Sequence, residues 1–192
     1  ARVQPGEQLV VLGAGGGVGL AAVQLGCHLG ASVTAVASSP EKLEVAAACG
    51  ATHLIGHRVG ELRAAFREVM ADGADVVVDP VGGDLAEPAL RSLRYGGRFV
   101  TVGYASGDIP RIPLNLVLLK GIAILGFQFI DFATRETDEF ERNEAELMAL
   151  LDSGAVVPHV GATFPLEEAA AALQLVADGG AVGKVVLDIA DI

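Results

Sequence analysis

The sequence predicts an α/β fold built on a doubly wound parallel sheet of six strands, and three observations carry that prediction. Short β-branched runs alternate with longer Ala-, Leu- and Glu-rich stretches, the pattern of successive βαβ units. A glycine-rich turn, Gly13-Ala14-Gly15-Gly16-Gly17-Val18-Gly19, stands between the first such run and the first helical stretch. The 192 residues are 52% hydrophobic and 19% charged, with mean hydropathy +0.50, so the chain can bury a sizeable core and is not disordered.

The elements follow in order. Residues 8–12 (QLVVL) form the first strand, apolar on both faces as a strand covered by helices must be. The glycine turn leads into a helix over 18–29 and a second strand over 32–37. Ser39 as N-cap and Pro40 at the first helical position announce the next helix. A short strand at 53–55 and an amphipathic helix at 61–71 precede the fourth strand, 75–78, which ends in Asp79-Pro80-Val81-Gly82-Gly83. Residues 85–93 are helical, and Gly96-Gly97 turns the chain into the fifth strand, 98–102. After a loop punctuated by Pro110 and Pro113 come a short helix at 114–120, a sixth strand at 122–127 and an acidic surface helix at 138–151. Six strands interleaved with helices fit a dinucleotide-binding fold. An extended stretch (158–164), an Ala-rich helix (166–177) and a closing strand (184–188) follow once that pattern is complete. They divide the chain into a nucleotide-binding part, 1–153, and a second layer, 154–192.

A net charge of −11 and a pI of about 4.7 argue against a duplex nucleic-acid partner, which needs a basic face. Two cysteines, Cys27 and Cys49, make neither a zinc cluster nor a disulfide framework. Nothing reads as a signal peptide or an 18-residue apolar span, so no membrane partner and a cytoplasmic location are expected. Gly103-Tyr104-Ala105-Ser106-Gly107 is not a nucleophile elbow, and His28, His53, His57 and His159 have no ligand spacing. Asp79-Pro80 reads as a turn former rather than a general base.

The glycine turn carries the strongest chemical signal. Between strand and helix, glycines let the backbone approach a pyrophosphate, and the helix N-terminus offers N–H groups and a favourable dipole. Residues 14–19 read A-x-G-x-x-G, with Ala14 in place of the first glycine. The second strand runs out as Val36-Ala37-Ser38-Ser39-Pro40-Glu41-Lys42, without the acid that NAD sites place on the ribose. Ser38 can donate to a 2′-phosphate and Lys42, one turn into the helix, can supply charge; the expected cofactor is NADP(H). The same residues also read more simply, Ser39 as a cap and Lys42 as a solvated side chain. The missing acid argues equally against a methyltransferase.

Residues 6–56 resemble the nucleotide-binding half of the medium-chain dehydrogenase/reductase superfamily, in its zinc-independent quinone oxidoreductase branch. The resemblance continues through Asp79-Pro80-Val81-Gly82-Gly83, Gly96-Gly97-Arg98, Pro113-Leu114-Asn115, Phe164-Pro165-Leu166 and Gly183-Lys184-Val185. It implies that Ala14, Gly15, Gly16, Gly17, Val18 and Gly19 cradle the pyrophosphate and that Ser38 and Lys42 face the 2′-phosphate. His57 falls where many relatives carry a Tyr on that phosphate; a half-exposed loop histidine is the other reading. Val81 and Gly82 would line the path from adenosine to ribose. Gly103 and Phe127 would lie near the nicotinamide, or be strand-end packing. Lys184 would reach the pyrophosphate, or be a solvated strand residue.

The resemblance further implies hydride transfer from NADPH to a quinone, an α,β-unsaturated carbonyl or an enoyl thioester. An enoyl reductase domain of a polyketide or fatty-acid synthase, a zinc alcohol dehydrogenase fragment and a non-catalytic nucleotide-binding or structural module are the alternatives. Superfamily members begin with a mostly β catalytic domain, and residues 154–192 resemble the part that returns to complete it. The chain is therefore expected to be the cofactor-binding portion of a longer protein, inactive by itself, with no catalytic residue and no zinc ligand assigned. Relatives dimerise through the strand at 122–127, and a homodimer is expected here.

Overall fold

The computed structural model describes residues 1–57 and 61–189. Strands β1 (Gln8–Leu12), β2 (Ser32–Ala37) and β3 (His53–Gly56) run from the centre of one sheet to its edge. β4 (Ala74–Asp79), β5 (Leu93–Thr101) and β6 (Ala123–Gly126) run from β1 to the other edge. The order is β3-β2-β1-β4-β5-β6 and every pairing is parallel, so the doubly wound six-stranded sheet is present as the sequence predicts.

Alternation along the strands builds two cores. Val10 and Leu12 of β1 and Val77 of β4 meet Leu62 and Phe66 of α3 (Leu62–Val69) and Ala89 and Leu90 of α4 (Ala86–Ser92). Leu9 and Val11 point the other way, to Leu20 and Val23 of α1 (Gly17–His28) and Ala46 of α2 (Pro40–Ala48). The central strands are thus buried on both faces, which is why they read as unbroken apolar runs. At the base of the sheet, Asp75 is buried, accepts the Gln8 N–H (2.8 Å) and pairs with Arg94. Glu7 pairs with Arg98 at 2.6 Å, and that hydrogen-bonded guanidinium holds its carboxyl below the ordinary range.

Three differences from the sequence reading go beyond a residue or two at an element's end. β5 starts at Leu93, not at 98: Leu93 pairs with Ala74 and Arg98 with Val76, so the residues between bulge out of the ladder, and Gly96 there adopts φ +76°. The two glycines lie inside a bulged strand rather than before one. A helix α6 (Phe129–Arg135) follows β6, where no element is predicted. Its sequence FIDFATR is a poor helix by propensity; tertiary packing decides it, with Phe132 against Phe127 and Phe140 at ring centroids of 5.5 and 6.2 Å. The Ala-rich helix begins as a 3-10 turn, Leu166–Glu168, and becomes α8 only over Ala169–Ala177.

Between β5 and β6 lies α5 (Asn115–Lys120), and the acidic helix is α7 (Thr137–Asp152). β7 (Val160–Pro165) and β8 (Lys184–Asp188) form a separate two-stranded parallel sheet. Gln24 on α1 ties this segment to the main body, donating to the Val157 carbonyl (2.9 Å) and accepting the Val157 N–H (2.7 Å). Residues 190–192 of the predicted second layer lie outside the described residues. Among the described residues no helix is long and apolar enough to cross a membrane.

The packing of α1 on β1 is unusually close at its first turn. A Cβ on Gly19 would stand 2.1 Å from the Gly13 carbonyl oxygen and 2.7 Å from the Ala14 Cα, both backbone atoms that cannot step aside. Gly19→Ala is expected to lower unfolding stability by about 1–3 kcal/mol, the usual cost of overpacking. Urea denaturation should show a reduced midpoint at unchanged slope.

Candidate functional site

The site lies at the carboxyl end of the sheet, where the strand order reverses between β1 and β4. Gly13 leaves β1 at φ +60°, with its missing Cβ pointing at Val81 2.5 Å away, and Gly16 donates back to the Gly13 carbonyl (3.0 Å). The chain then enters α1 through Gly16, whose lack of a side chain leaves the first-turn N–H groups without a side-chain cap. Uncapped donors at a helix N-terminus suit a phosphate. They open into a cleft of about 470 Å³ lined by Gly15, Gly16, Gly17, Val18 and Gly19 on this side.

The end of β2 forms one rim. The Ala37 carbonyl accepts the His57 N–H (3.0 Å), which places His57 beside Ser38. Ser39 caps α2, its hydroxyl accepting the Lys42 N–H at 3.4 Å, as its position before Pro40 predicts. Lys42 is nevertheless not free in solvent. Its stem lies across Gly15, where a Cβ would come within 2.5 Å of it, and its ammonium donates to Ser38 Oγ (3.3 Å) and to the Gly179 carbonyl (2.5 Å). The rim thus presents one ammonium, one hydroxyl and one imidazole, and no carboxylate among the lining residues. That donor set accepts an anion such as a phosphate monoester.

The loops after β4 and β5 form the opposite wall. Asp79 is fully buried, and its Oδ1 accepts the N–H groups of both Val81 and Gly82 at 2.8 Å, so it shapes the turn as the sequence predicts. Its Oδ2 is buried without a hydrogen-bond partner among the described residues. Burial pushes the Asp79 carboxyl above its ordinary value, against the pull of the two backbone N–H groups. The turn is crowded: Gly82 has φ +70° and no room for a Cβ beside the Asp108 carbonyl and Tyr104. Ala105 and Ser106 donate backbone N–H groups to Pro80 and Val81 at 3.1 and 3.0 Å, which fixes the two loops to each other.

The fourth wall is one that no motif announces. Val176, Ala177, Gly179, Ala181 and Gly183, from the end of α8 to the start of β8, close the cleft. Gly183 donates to the Gly15 carbonyl at 2.8 Å, so the C-terminal segment is hydrogen-bonded to the glycine turn itself. The sequence signal was the Gly-Gly pair at 179–180 after an Ala-rich helix, which marks a helix end but not what lies across from it.

Of the residues singled out by sequence, Gly15, Gly16, Gly17, Val18, Gly19, Ser38, Lys42, His57 and Val81 line this cleft. Ala14 is buried beneath it in the α1 core, and its N–H donates to the Val36 carbonyl. Gly82 serves the Asp79 turn, Gly103 sits against the Pro80 carbonyl, and Phe127 packs on Phe132. Lys184 lies over Gly17 at the cleft's outer edge, facing an adjoining groove between α1 and α7.

A reversed strand order with a glycine-rich βα turn at the reversal defines a dinucleotide-binding α/β protein of the Rossmann type. Residues 17–152 match the zinc-binding dehydrogenase family. The chain belongs to that family, on the quinone oxidoreductase-like side of the medium-chain dehydrogenase/reductase superfamily. It is 37% identical over 191 residues to quinone oxidoreductase-like protein 2 of Bos taurus, covering 98% of this chain and 55% of that protein. It is 31% identical to a 2-haloacrylate reductase of a Burkholderia species, covering 97% and 56%. The structure of Escherichia coli quinone oxidoreductase complexed with NADPH superimposes with a TM-score of 0.86 at 29% identity, covering 97% and 58%. The chain spans about half the length of the curated relatives it matches. Despite the family's description, no group of three His, Cys, Asp or Glu side chains comes together among the described residues, and no metal site is assigned.

Asp79 gives a test of the cleft wall. Asp79→Ala strands one buried and one half-buried N–H group and is expected to cost about 2–3 kcal/mol. Asp79→Asn keeps the Oδ1 acceptor. Because the folded pKa of Asp79 is raised, its carboxyl favours folding below the ordinary value of 3.8, and that contribution is lost as pH rises through the folded pKa. Asp79→Asn should therefore gain on the natural protein as pH rises through that range, read by denaturation at stepped pH.

Proposed function

We propose that the chain is the NADPH-binding portion of an oxidoreductase that transfers a hydride from NADPH to a quinone or an α,β-unsaturated carbonyl. The observation that carries this reading is the rim at the end of β2, where Lys42 and Ser38 stand 3.3 Å apart and no acid occupies the strand tip. An NAD site needs a carboxylate there for the ribose hydroxyls; this rim offers an ammonium and a hydroxyl for a 2′-phosphate. The solved relative with NADPH and the reductase relatives support the cofactor and the acceptor class.

The cofactor, when bound, supplies the hydride. The chain's own residues bind and orient it. The first-turn N–H groups of α1 would hold the pyrophosphate, Lys42, Ser38 and His57 the 2′-phosphate, and Val81 the adenosine-to-ribose path. Gly103 and Phe127 close the carboxyl ends of β5 and β6, on the side where the nicotinamide would extend. Residues 154–192 would belong with the part of the whole protein that supplies the acceptor site, and residues 1–153 with the cofactor. The two half-buried thiols, Cys27 and Cys49, whose pKa values burial raises, fit a reducing, cytoplasmic setting.

The assembly proposed is a homodimer. β6 is a sheet edge, exposed throughout, with Ile124, Leu125 and Phe127 uncovered and the apolar Leu118, Leu119, Phe129 and Ile130 nearby. An apolar unpaired edge of this kind invites a symmetry mate. Ile124→Lys should shift the mass by light scattering from dimer to monomer; a mutant that stays dimeric excludes this strand as the interface.

Side-by-side titration of NADPH and NADH, read by cofactor fluorescence in a chain without Trp, tests the cofactor. A charge-assisted contact of about 1.5–3 kcal/mol predicts a roughly tenfold to hundredfold preference for NADPH. Lys42→Ala should remove it. Equal binding of the two would overturn the 2′-phosphate assignment.

A further inference from the structure

Lys42 makes a contact that the cofactor reading does not explain. Its ammonium reaches across the cleft rim to the main-chain carbonyl of Gly179, 137 residues away in sequence, at 2.5 Å. That carbonyl is presented by a well-defined turn. Gly179 and Gly180 donate their N–H groups to the Val176 and Leu175 carbonyls, both at 3.0 Å, which closes the end of α8. Gly179 takes φ +69°, the left-handed conformation such helix ends require. With the helix end satisfied in this way, the Gly179 carbonyl is left to face Lys42.

An ammonium has three donors. Here one goes to the main-chain carbonyl of Gly179 and one to the side-chain Oγ of Ser38, and the third remains for whatever occupies the cleft. The stem is confined too, because it lies over Gly15, and Gly15 in turn accepts from Gly183 of the same C-terminal segment. A lysine on a short surface helix normally samples many rotamers; this one is held between α2, the glycine turn and the end of α8.

We propose that the turn ending α8 is a positioning element for cofactor selectivity: the Gly179 carbonyl holds the Lys42 ammonium at the rim, so discrimination for the 2′-phosphate depends on the C-terminal segment. This rests on the reading of the cleft as an NADP(H) site. Its physical content is preorganisation, since an ammonium already oriented loses less freedom when the phosphate arrives.

Two variants of the full 192-residue chain test it. Gly179→Val forces a β-branched residue into a positive φ; a Cβ there meets nothing within 4 Å, so the change acts through the backbone and moves the carbonyl. Gly154→Val is the matched control. It has φ +71° at the end of α7 with nothing within 4 Å of a Cβ, and it does not line the cleft. NADP+ and NAD+ affinities are measured for both variants and for the natural chain. Gly179→Val should cut the NADP+ to NAD+ affinity ratio by up to roughly tenfold, about the ordering cost of one rotamer-rich side chain that is no longer held in advance. Gly154→Val should leave the ratio unchanged, since general loosening weakens both nucleotides alike.

The second arm needs no nucleotide. Lys42→Met keeps a stem over Gly15 but removes the ammonium, and hydrogen exchange at the amides of residues 179–183 should quicken roughly tenfold. Unchanged exchange in Lys42→Met overturns the proposal, whatever the fate of Gly179→Val. A natural chain that prefers NADP+ while Gly179→Val keeps the ratio also overturns it and leaves the cofactor reading intact. A natural chain without preference overturns both.

Discussion

The approach of α1 to the carboxyl end of β1 is the constraint on which the remainder depends. Gly19 allows the first turn of the helix to press against the Gly13 carbonyl, and that first turn, with no side-chain cap, lines the cleft. Gly13, Gly15 and Gly17 each leave out a Cβ for a different neighbour: Val81 from the β4 turn, the Lys42 stem from α2, and Lys184 from β8. The turn is therefore a junction at which three remote segments meet one short stretch of backbone. Residues with side chains would push all three away.

The opposite wall is held by a buried carboxylate rather than by glycine. Asp79 satisfies two N–H groups in a turn that Gly82 and the Tyr104 ring leave no room to rearrange. Its cost is visible in the Oδ2, unpartnered among the described residues, and in the upward shift of its pKa by burial. A buried polar group of this kind stabilises one loop conformation above its alternatives, and it does so directly beneath the cleft. The result is a cleft lined from four separate parts of the chain.

The C-terminal segment occupies an unexpected position in this arrangement. Its own sheet has two strands, exposed on most positions, and it contributes little to the two main cores. Three hydrogen-bonded contacts join it to the glycine turn, α1 and α2: Gln24 to Val157, Gly183 to Gly15 and Lys42 to Gly179. Two of these three fall on the cleft. The segment is thus attached where the cofactor would bind, which gives occupancy of the cleft a direct physical route to its position.

The sheet, its order of elements and the glycine turn were legible in the amino-acid sequence. Those depend on local signals: unbroken β-branched runs, Ser39-Pro40 at a helix start, and glycines in a strand-to-helix context. Ser38 and Lys42 were singled out for the same reason, since they follow a strand whose end the pattern marks; His57 was singled out only through the family resemblance, and all three line the cleft. That Leu93 joins the sheet across a bulge emerges only in the folded chain, because it depends on a partner in β4 and not on the neighbouring residues. Tertiary packing likewise made a helix of Phe129–Arg135, through four phenylalanines that stack only once β6 and α7 are in place. It also brought Gly179 to Lys42. No periodicity encodes a hydrogen bond between a lysine and a main-chain carbonyl 137 residues apart; it exists only because the sheet and α8 carry the two ends to one place.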